Sequence, residues 1–282
     1  MSIIESIILG IVQGLTEFLP ISSTGHLTLA GKLMGVIDPN NPKEWTSFMA
    51  VIQLGTMVAV IIYFWKDLFS ILQNFVKDNL TQRKIIKVQS RESKLGWFII
   101  VGTIPVVVIG LLFKDIIEGV LTKNLYVISG SLILLALILW IAEKVGKFER
   151  TEEKLSWKDS IIVGFAQALS LIPGSSRSGT TITAGIFLGL TRETAARFSF
   201  LLSIPAVFAS GMLQFYQALE FITPDSLITL TIATLISGIS GYLAIEFLLR
   251  FLKKNTTFVF ILYRIVIGAI IILLLNLGII LP

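Results

Sequence analysis

Long apolar runs separated by short charged stretches make up this chain, and none alternates with the two-residue period of a barrel strand. The runs at about 48–65, 96–113, 126–143, 198–219, 227–249 and 257–280 are each long enough to cross a bilayer as a helix. Two further apolar stretches are interrupted. Residues 3–19 run into Pro20 and a Ser-Ser-Thr-Gly-His segment before apolar character resumes at Leu27–Val36. Residues 159–190 are broken in the same way by Pro173-Gly-Ser-Ser-Arg-Ser-Gly179. Each piece is near or below the ~17 residues a spanning helix needs. The pattern predicts an all-α integral membrane protein with six transmembrane helices and two re-entrant helical hairpins.

The two interrupted stretches resemble each other. Gly10, Gln13, Leu15 and Thr16 recur as Gly164, Gln167, Leu169 and Ser170, and after a one-residue gap Pro20, Ser22 and Ser23 recur as Pro173, Ser175 and Ser176. A single membrane domain over 1–282 is expected, with a first repeat at 1–158 and a second at 159–282. Three spans per half would invert the second repeat, as in many transporters whose broken helices meet near the midplane. The segment Lys66–Lys94 carries seven Lys/Arg against three acids, which predicts a cytoplasmic loop. Loops 144–158 and 250–256 are expected on the same side. Loops 36–47 and 219–226 and both termini are expected outside, and a polar turn is expected around Lys114, Asp115, Glu118 and Lys123. Arg264 and Glu246 read as a helix-to-helix ion pair or as side chains snorkelling to the surface. Gln53 reads as an interhelical hydrogen bond, and Pro105 and Pro205 as kinks.

Composition sharpens this picture. Of 282 residues, 54% are hydrophobic and only 15% charged, with a mean hydropathy of +0.86; a soluble domain carries roughly 25% charged residues. The net charge of +5 lies largely in loops and sets orientation, so no nucleic-acid partner is expected. The absence of cysteine excludes disulfides, thiolate metal sites and a cysteine nucleophile. The apolar N-terminus lacks a basic region and carries Glu5, so no cleaved signal peptide is expected.

Gln13–His26 gathers a carboxylate, clustered hydroxyls and the single histidine of the chain. Polar groups at membrane depth are costly unless they line a cavity or a protein interior, so the two interrupted stretches read as halves of one site. Glu17 lies one helical turn after Gln13 and suits a general base or a ligand for a divalent cation. His26 can move a proton near neutral pH. Ser23, beside Ser22 and Thr24, is a candidate nucleophile with His26 or Glu17 as its base. Arg177 offers a planar fork to phosphate. Gly174, Ser175, Ser176 and Ser178 around it supply amides and hydroxyls at the start of a following helix. No nucleotide-binding loop, zinc helix or Rossmann strand is present. A phosphohistidine phosphatase is excluded, because that chemistry needs a second histidine.

With these residues in place, the chain resembles the undecaprenyl-diphosphate phosphatase (bacitracin-resistance) family over nearly its whole length. The resemblance rests on Gln13-Gly-Leu-Thr-Glu17, continuing through Phe18-Leu-Pro-Ile-Ser-Ser-Thr-Gly-His26, and on Pro173-Gly-Ser-Ser-Arg-Ser-Gly179. It implies hydrolysis of a polyprenyl diphosphate lipid in the bacterial cytoplasmic membrane, recycling the carrier for cell-wall synthesis at an outward-facing site. It also implies a divalent cation, Mg²⁺ or Ca²⁺, with Glu17 as its ligand, and catalytic roles for Glu17, Ser23, His26 and Arg177. Gln13, Ser22, Thr24, Gly174, Ser175, Ser176 and Ser178 are expected to bind substrate. In this family the first signature position is Glu or Gln; Gln13 leaves a single carboxylate in the motif. The rival expectation is an inverted-repeat transporter, such as a lipid-carrier flippase, that binds an anion without hydrolysing it.

Overall fold

Four stretches of chain, residues 1–38, 42–113, 124–219 and 224–281, are described by the computed structural model. They form helices without a named β-strand. In chain order these are α1 (Ile3–Phe18), α2 (Ser23–Leu33), α3 (Pro42–Tyr63), α4 (Trp65–Val76), α5 (Arg91–Leu112), α6 (Leu125–Val145), α7 (Trp157–Ala168), α8 (Arg177–Phe187), α9 (Arg192–Ala218), α10 (Pro224–Leu252) and α11 (Phe258–Asn276). Among the described residues six of these, α3, α5, α6, α9, α10 and α11, are long and apolar enough to cross a membrane. The chain is therefore a multi-pass membrane protein, with its spans where the apolar runs place them.

The two interrupted stretches fold alike. α1 begins with a reciprocal cap, in which Ser2 N–H donates to Glu5 (2.6 Å) and Glu5 N–H to Ser2 Oγ (3.3 Å). α7 begins the same way with Ser156 and Asp159. α1 stops at Leu19, whose backbone is extended ahead of Pro20. Both α2 and α8 then start from a serine at positive φ: Ser22 at 77° and Ser176 at 67°. Each serine Oγ accepts from the amide three residues on, Gly25 and Gly179. Matching these caps sets Ser23 against Arg177. That register is one residue away from the one the prolines suggest.

Packing also occurs in matched pairs. α1 lies along α10 and α7 along α5, while α3 contacts both α9 and α10, and α6 contacts α11. The α5–α7 crossing is close enough that a Cβ on Gly164 would sit 2.9 Å from Gly102 Cα. Phe18 meets Phe200 edge-on at 5.3 Å and joins the main buried cluster with Phe64 and Phe198. Pro105 and Pro205 stand inside α5 and α9.

Some expectations are corrected. The segment read as the loop 66–94 begins as helix α4, whose Trp65, Phe69 and Leu72 are exposed along one side. Its charge count concealed a helical period. Beyond it, buried Asp78 accepts from the Ser90 amide and hydroxyl and from Lys84, which pulls its carboxyl down to about 2. Residues 42–47, read as part of a polar loop, form the first turn and more of α3, with Pro42 as its first residue. Arg264 and Glu246 do not pair. Glu246 accepts from the Tyr63 hydroxyl and pairs with Arg250 one turn on. The turn expected at residues 114–123 lies outside the described residues.

At one end of the bundle, ion pairs tie the helix ends together: Arg192–Glu143 (2.7 Å), Arg91–Glu152 (2.9 Å), Arg197–Asp67 (3.1 Å) and Lys253–Glu193 (3.3 Å). The segments expected on the cytoplasmic side thus share one end.

Candidate active site

Glu17 ends α1 with 7% of its surface exposed and receives four donors. Arg177 Nη2 (2.7 Å) and Gln53 Nε2 (3.2 Å) donate to Oε1. Ser23 Oγ (2.6 Å) and Gln13 Nε2 (3.2 Å) donate to Oε2. The Gln13 contact follows from the four-residue spacing on α1. The Arg177 contact spans 160 positions of sequence and joins the two interrupted stretches. Ser178 Oγ adds a second link, donating to Leu19 O at 3.0 Å.

Arg264 of α11 fixes both turns from behind. It is fully buried and donates to Pro20 O (3.4 Å), Ser175 O (3.0 Å) and Leu132 O (3.2 Å). Three backbone carbonyls take the place of the expected carboxylate partner. A guanidinium suits this use, because its planar fork reaches several acceptors at once.

Glu17, Ser22, Ser23, Thr24, Arg177 and Gln167 face a common cavity of about 330 Å³, within the range of small-molecule sites. Gly174, Ser175 and Ser176 line it as well. The first residues of α2 and α8 are at its wall, so the positive ends of two helices meet there. Val106, Val107 and Leu111 of α5, with Val207 and Leu213 of α9, give it apolar sides. The arrangement suits a ligand with an anionic head and an apolar tail.

Not every expected residue reaches the cavity. Gln13 is 2% exposed and orients Glu17 from the side. Ser178 serves the link between the turns. His26 turns away, with Nδ1 2.7 Å from Ser22 O and Nε2 2.8 Å from the Tyr263 hydroxyl, and its ring stacks on Tyr263. This assigns the proton to Nδ1, which donates to the carbonyl, and leaves Nε2 to accept from Tyr263. Glu17, not His26, is thus hydrogen-bonded to Ser23. Conversely, Gln53 belongs to the site through its Glu17 contact, and Gln167 lines the cavity; polar side chains in otherwise apolar runs were the signal for both.

For Mg²⁺ or Ca²⁺ the donor set is a poor fit. Such ions take oxygen ligands, typically from one or more carboxylates. Glu17 is the single carboxylate lining the cavity among the described residues, and both its oxygens are engaged, one by an arginine. No cluster of three or more His, Cys, Asp or Glu side chains among the described residues is placed to hold a metal ion.

The family model described as "Bacitracin resistance protein BacA" matches residues 6–270. An undecaprenyl-diphosphatase of Syntrophobacter fumaroxidans is 56% identical over 268 residues, covering 95% of each chain. Another of Chlorobium phaeovibrioides is 50% identical over 291 residues, covering 100% of each. A third, of Chlorobium limicola, is 50% identical over 287 residues, covering 99% of this chain and 98% of its own. This chain belongs to the BacA bacitracin resistance protein family.

Proposed function

We infer that the protein hydrolyses undecaprenyl diphosphate to undecaprenyl phosphate and inorganic phosphate, recycling the lipid carrier for cell-wall synthesis. Family membership and the relatives' name, undecaprenyl-diphosphatase, support this reaction. The observation in this chain that carries it is the Ser23–Glu17–Arg177 group, built from both interrupted stretches at an apolar-walled cavity.

In the mechanism this geometry supports, Arg177 and the starts of α2 and α8 receive the diphosphate. Ser23 Oγ attacks the terminal phosphorus while its proton passes to Glu17 Oε2. The bridging P–O bond breaks, and its electron pair leaves with the prenyl phosphate. Glu17, after losing its proton to that product or to solvent, takes a proton from water, which attacks the phosphoserine. The P–Oγ bond breaks, and Glu17 returns the proton to Ser23. Net consumption is one water. His26 acts as a positioning residue that holds the Ser22 carbonyl at the start of α2.

Brief mixing of prenyl diphosphate labelled in its terminal phosphate with detergent-purified protein tests this. Label is expected on the wild-type protein and absent from Ser23→Ala, whose turnover falls ~10³-fold or more. Label surviving in Ser23→Ala, or turnover within tenfold of wild type, would remove Ser23 as nucleophile.

The site opens outward in this reading. The cavity walls at 106–111 and 206–214 begin ~20 Å along α5 and α9 from their charged starts, at 1.5 Å per residue. If the basic end is cytoplasmic, the opening faces the other side. Leu213→Cys is therefore expected to react with a membrane-impermeant maleimide in intact cells, and Lys84→Cys only after lysis. The reverse pattern would overturn the orientation.

A further inference from the structure

Gln167 is wholly buried, yet neither its Nε2 nor its Oε1 has a hydrogen-bond partner. A buried amide left unpaired is unfavourable, and native proteins rarely keep one without a use. Its origin is visible in the repeat. Gln13, at the matching position of α1, spends its amide on Glu17 one turn later. One turn after Gln167 the chain has Leu171, which offers no acceptor side chain. The Gln167 amide is thereby left unspent on a residue that lines the cavity.

Two other groups of the second stretch share this condition. Ser175 Oγ and Arg177 Nη1 are buried without partners, and both residues line the same cavity. The first stretch differs, since Glu17 and Ser23 there are bonded to each other. The cavity therefore has a reacting side and a side of unspent donors. α7, which carries Gln167, packs against α5, whose Val106, Val107 and Leu111 form an apolar wall. A prenyl chain lying along that wall brings its own phosphate to the side where Gln167 stands.

We propose that Gln167 is a specificity-determining residue: with Ser175 Oγ and Arg177 Nη1 it binds the lipid-linked phosphate, while Glu17 and Ser23 act on the terminal one. This rests on the hydrolase reading and deepens it. The bridging oxygen leaves with the lipid-linked phosphate, so negative charge grows on this group as the bond breaks. Donors held ready there favour departure and select diphosphates over single phosphate esters. The amide Oε1 is left for a phosphate hydroxyl or a water.

The experiment compares two product inhibitors, farnesyl monophosphate and inorganic phosphate, against farnesyl diphosphate hydrolysis by wild type, Gln167→Leu and Gln167→Glu. Losing a hydrogen bond to a charged partner is worth about tenfold to hundredfold. Both variants are expected to raise the inhibition constant of farnesyl monophosphate by that factor and to lower kcat/KM. Inhibition by inorganic phosphate is expected to stay within twofold. Gln167→Glu should show the larger effect, because it repels the phosphate without emptying the site. Unchanged farnesyl monophosphate inhibition, or equal weakening of both inhibitors, would overturn the assignment. Direct calorimetric binding of farnesyl monophosphate to the three proteins separates the two readings. A wild type that binds it through Gln167 but releases no phosphate from the diphosphate refutes the hydrolase reading alone. Binding equal in all three refutes the Gln167 subsite alone.

Discussion

Glu17→Gln is expected to lower turnover ~10²–10⁴-fold while leaving prenyl diphosphate binding undiminished or tighter. The substitution keeps the shape of the side chain at the end of α1 but replaces the carboxylate that accepts from Ser23 at 2.6 Å with an amide too weakly basic to take its proton. In the free protein the same carboxylate holds Arg177 Nη2 at 2.7 Å. The incoming diphosphate competes with it for that donor. A neutral amide releases the guanidinium, so attraction for the anion survives as the chemistry fails. The check is kcat measured beside a direct dissociation constant. Turnover within tenfold of wild type would pass the role of base to another group, and binding weakened in parallel with turnover would make Glu17 a structural residue.

Arg177→Lys is expected to fall nearly as far, by a different route. Arg177 presents two nitrogens that differ in their engagement, Nη2 bound to Glu17 and Nη1 buried without a partner on a residue that lines the cavity. A lysine ammonium keeps the charge but is a single point, and it cannot hold Glu17 in register and meet a phosphate oxygen in the same geometry. Removing one preorganised donor of this kind costs on the order of 3–4 kcal/mol in the transition state. Turnover should therefore drop steeply with a smaller change in binding, whereas Arg177→Ala should weaken both. Retention of most phosphate release in Arg177→Lys would move the residue out of the reaction.

The spans were legible because a bilayer demands long apolar runs, and six such helices stand among the described residues. The pairing of the two interrupted stretches was legible too, since polar residues in an apolar chain need each other. What escaped the sequence is mostly direction. His26 sits one turn from Ser22, and sequence alone does not say whether its ring faces the serines or, as here, Tyr263, 237 positions away. α4 was hidden because counting lysines and arginines over 66–94 averages away the spacing of Trp65, Phe69 and Leu72. Gln53 was read as an interhelical bond, which it is, but its partner Glu17 depends on how α1 and α3 cross. The caps at Ser22 and Ser176 shifted the repeat by one residue, because positive φ at a serine leaves no mark on residue type.

The dependence of both turns on Arg264 fixes when the enzyme can come into being during synthesis. Pro20 and Ser175 leave the ribosome well before residue 264, so their carbonyls first meet each other's neighbourhood without the guanidinium that later bridges them. Glu17 and Arg177 can approach only once the second interrupted stretch has been delivered, and their geometry is fastened only when α11 docks. A nascent chain carrying every residue of its reaction centre is still unfinished. Competence waits on a helix that contributes nothing to the cavity wall.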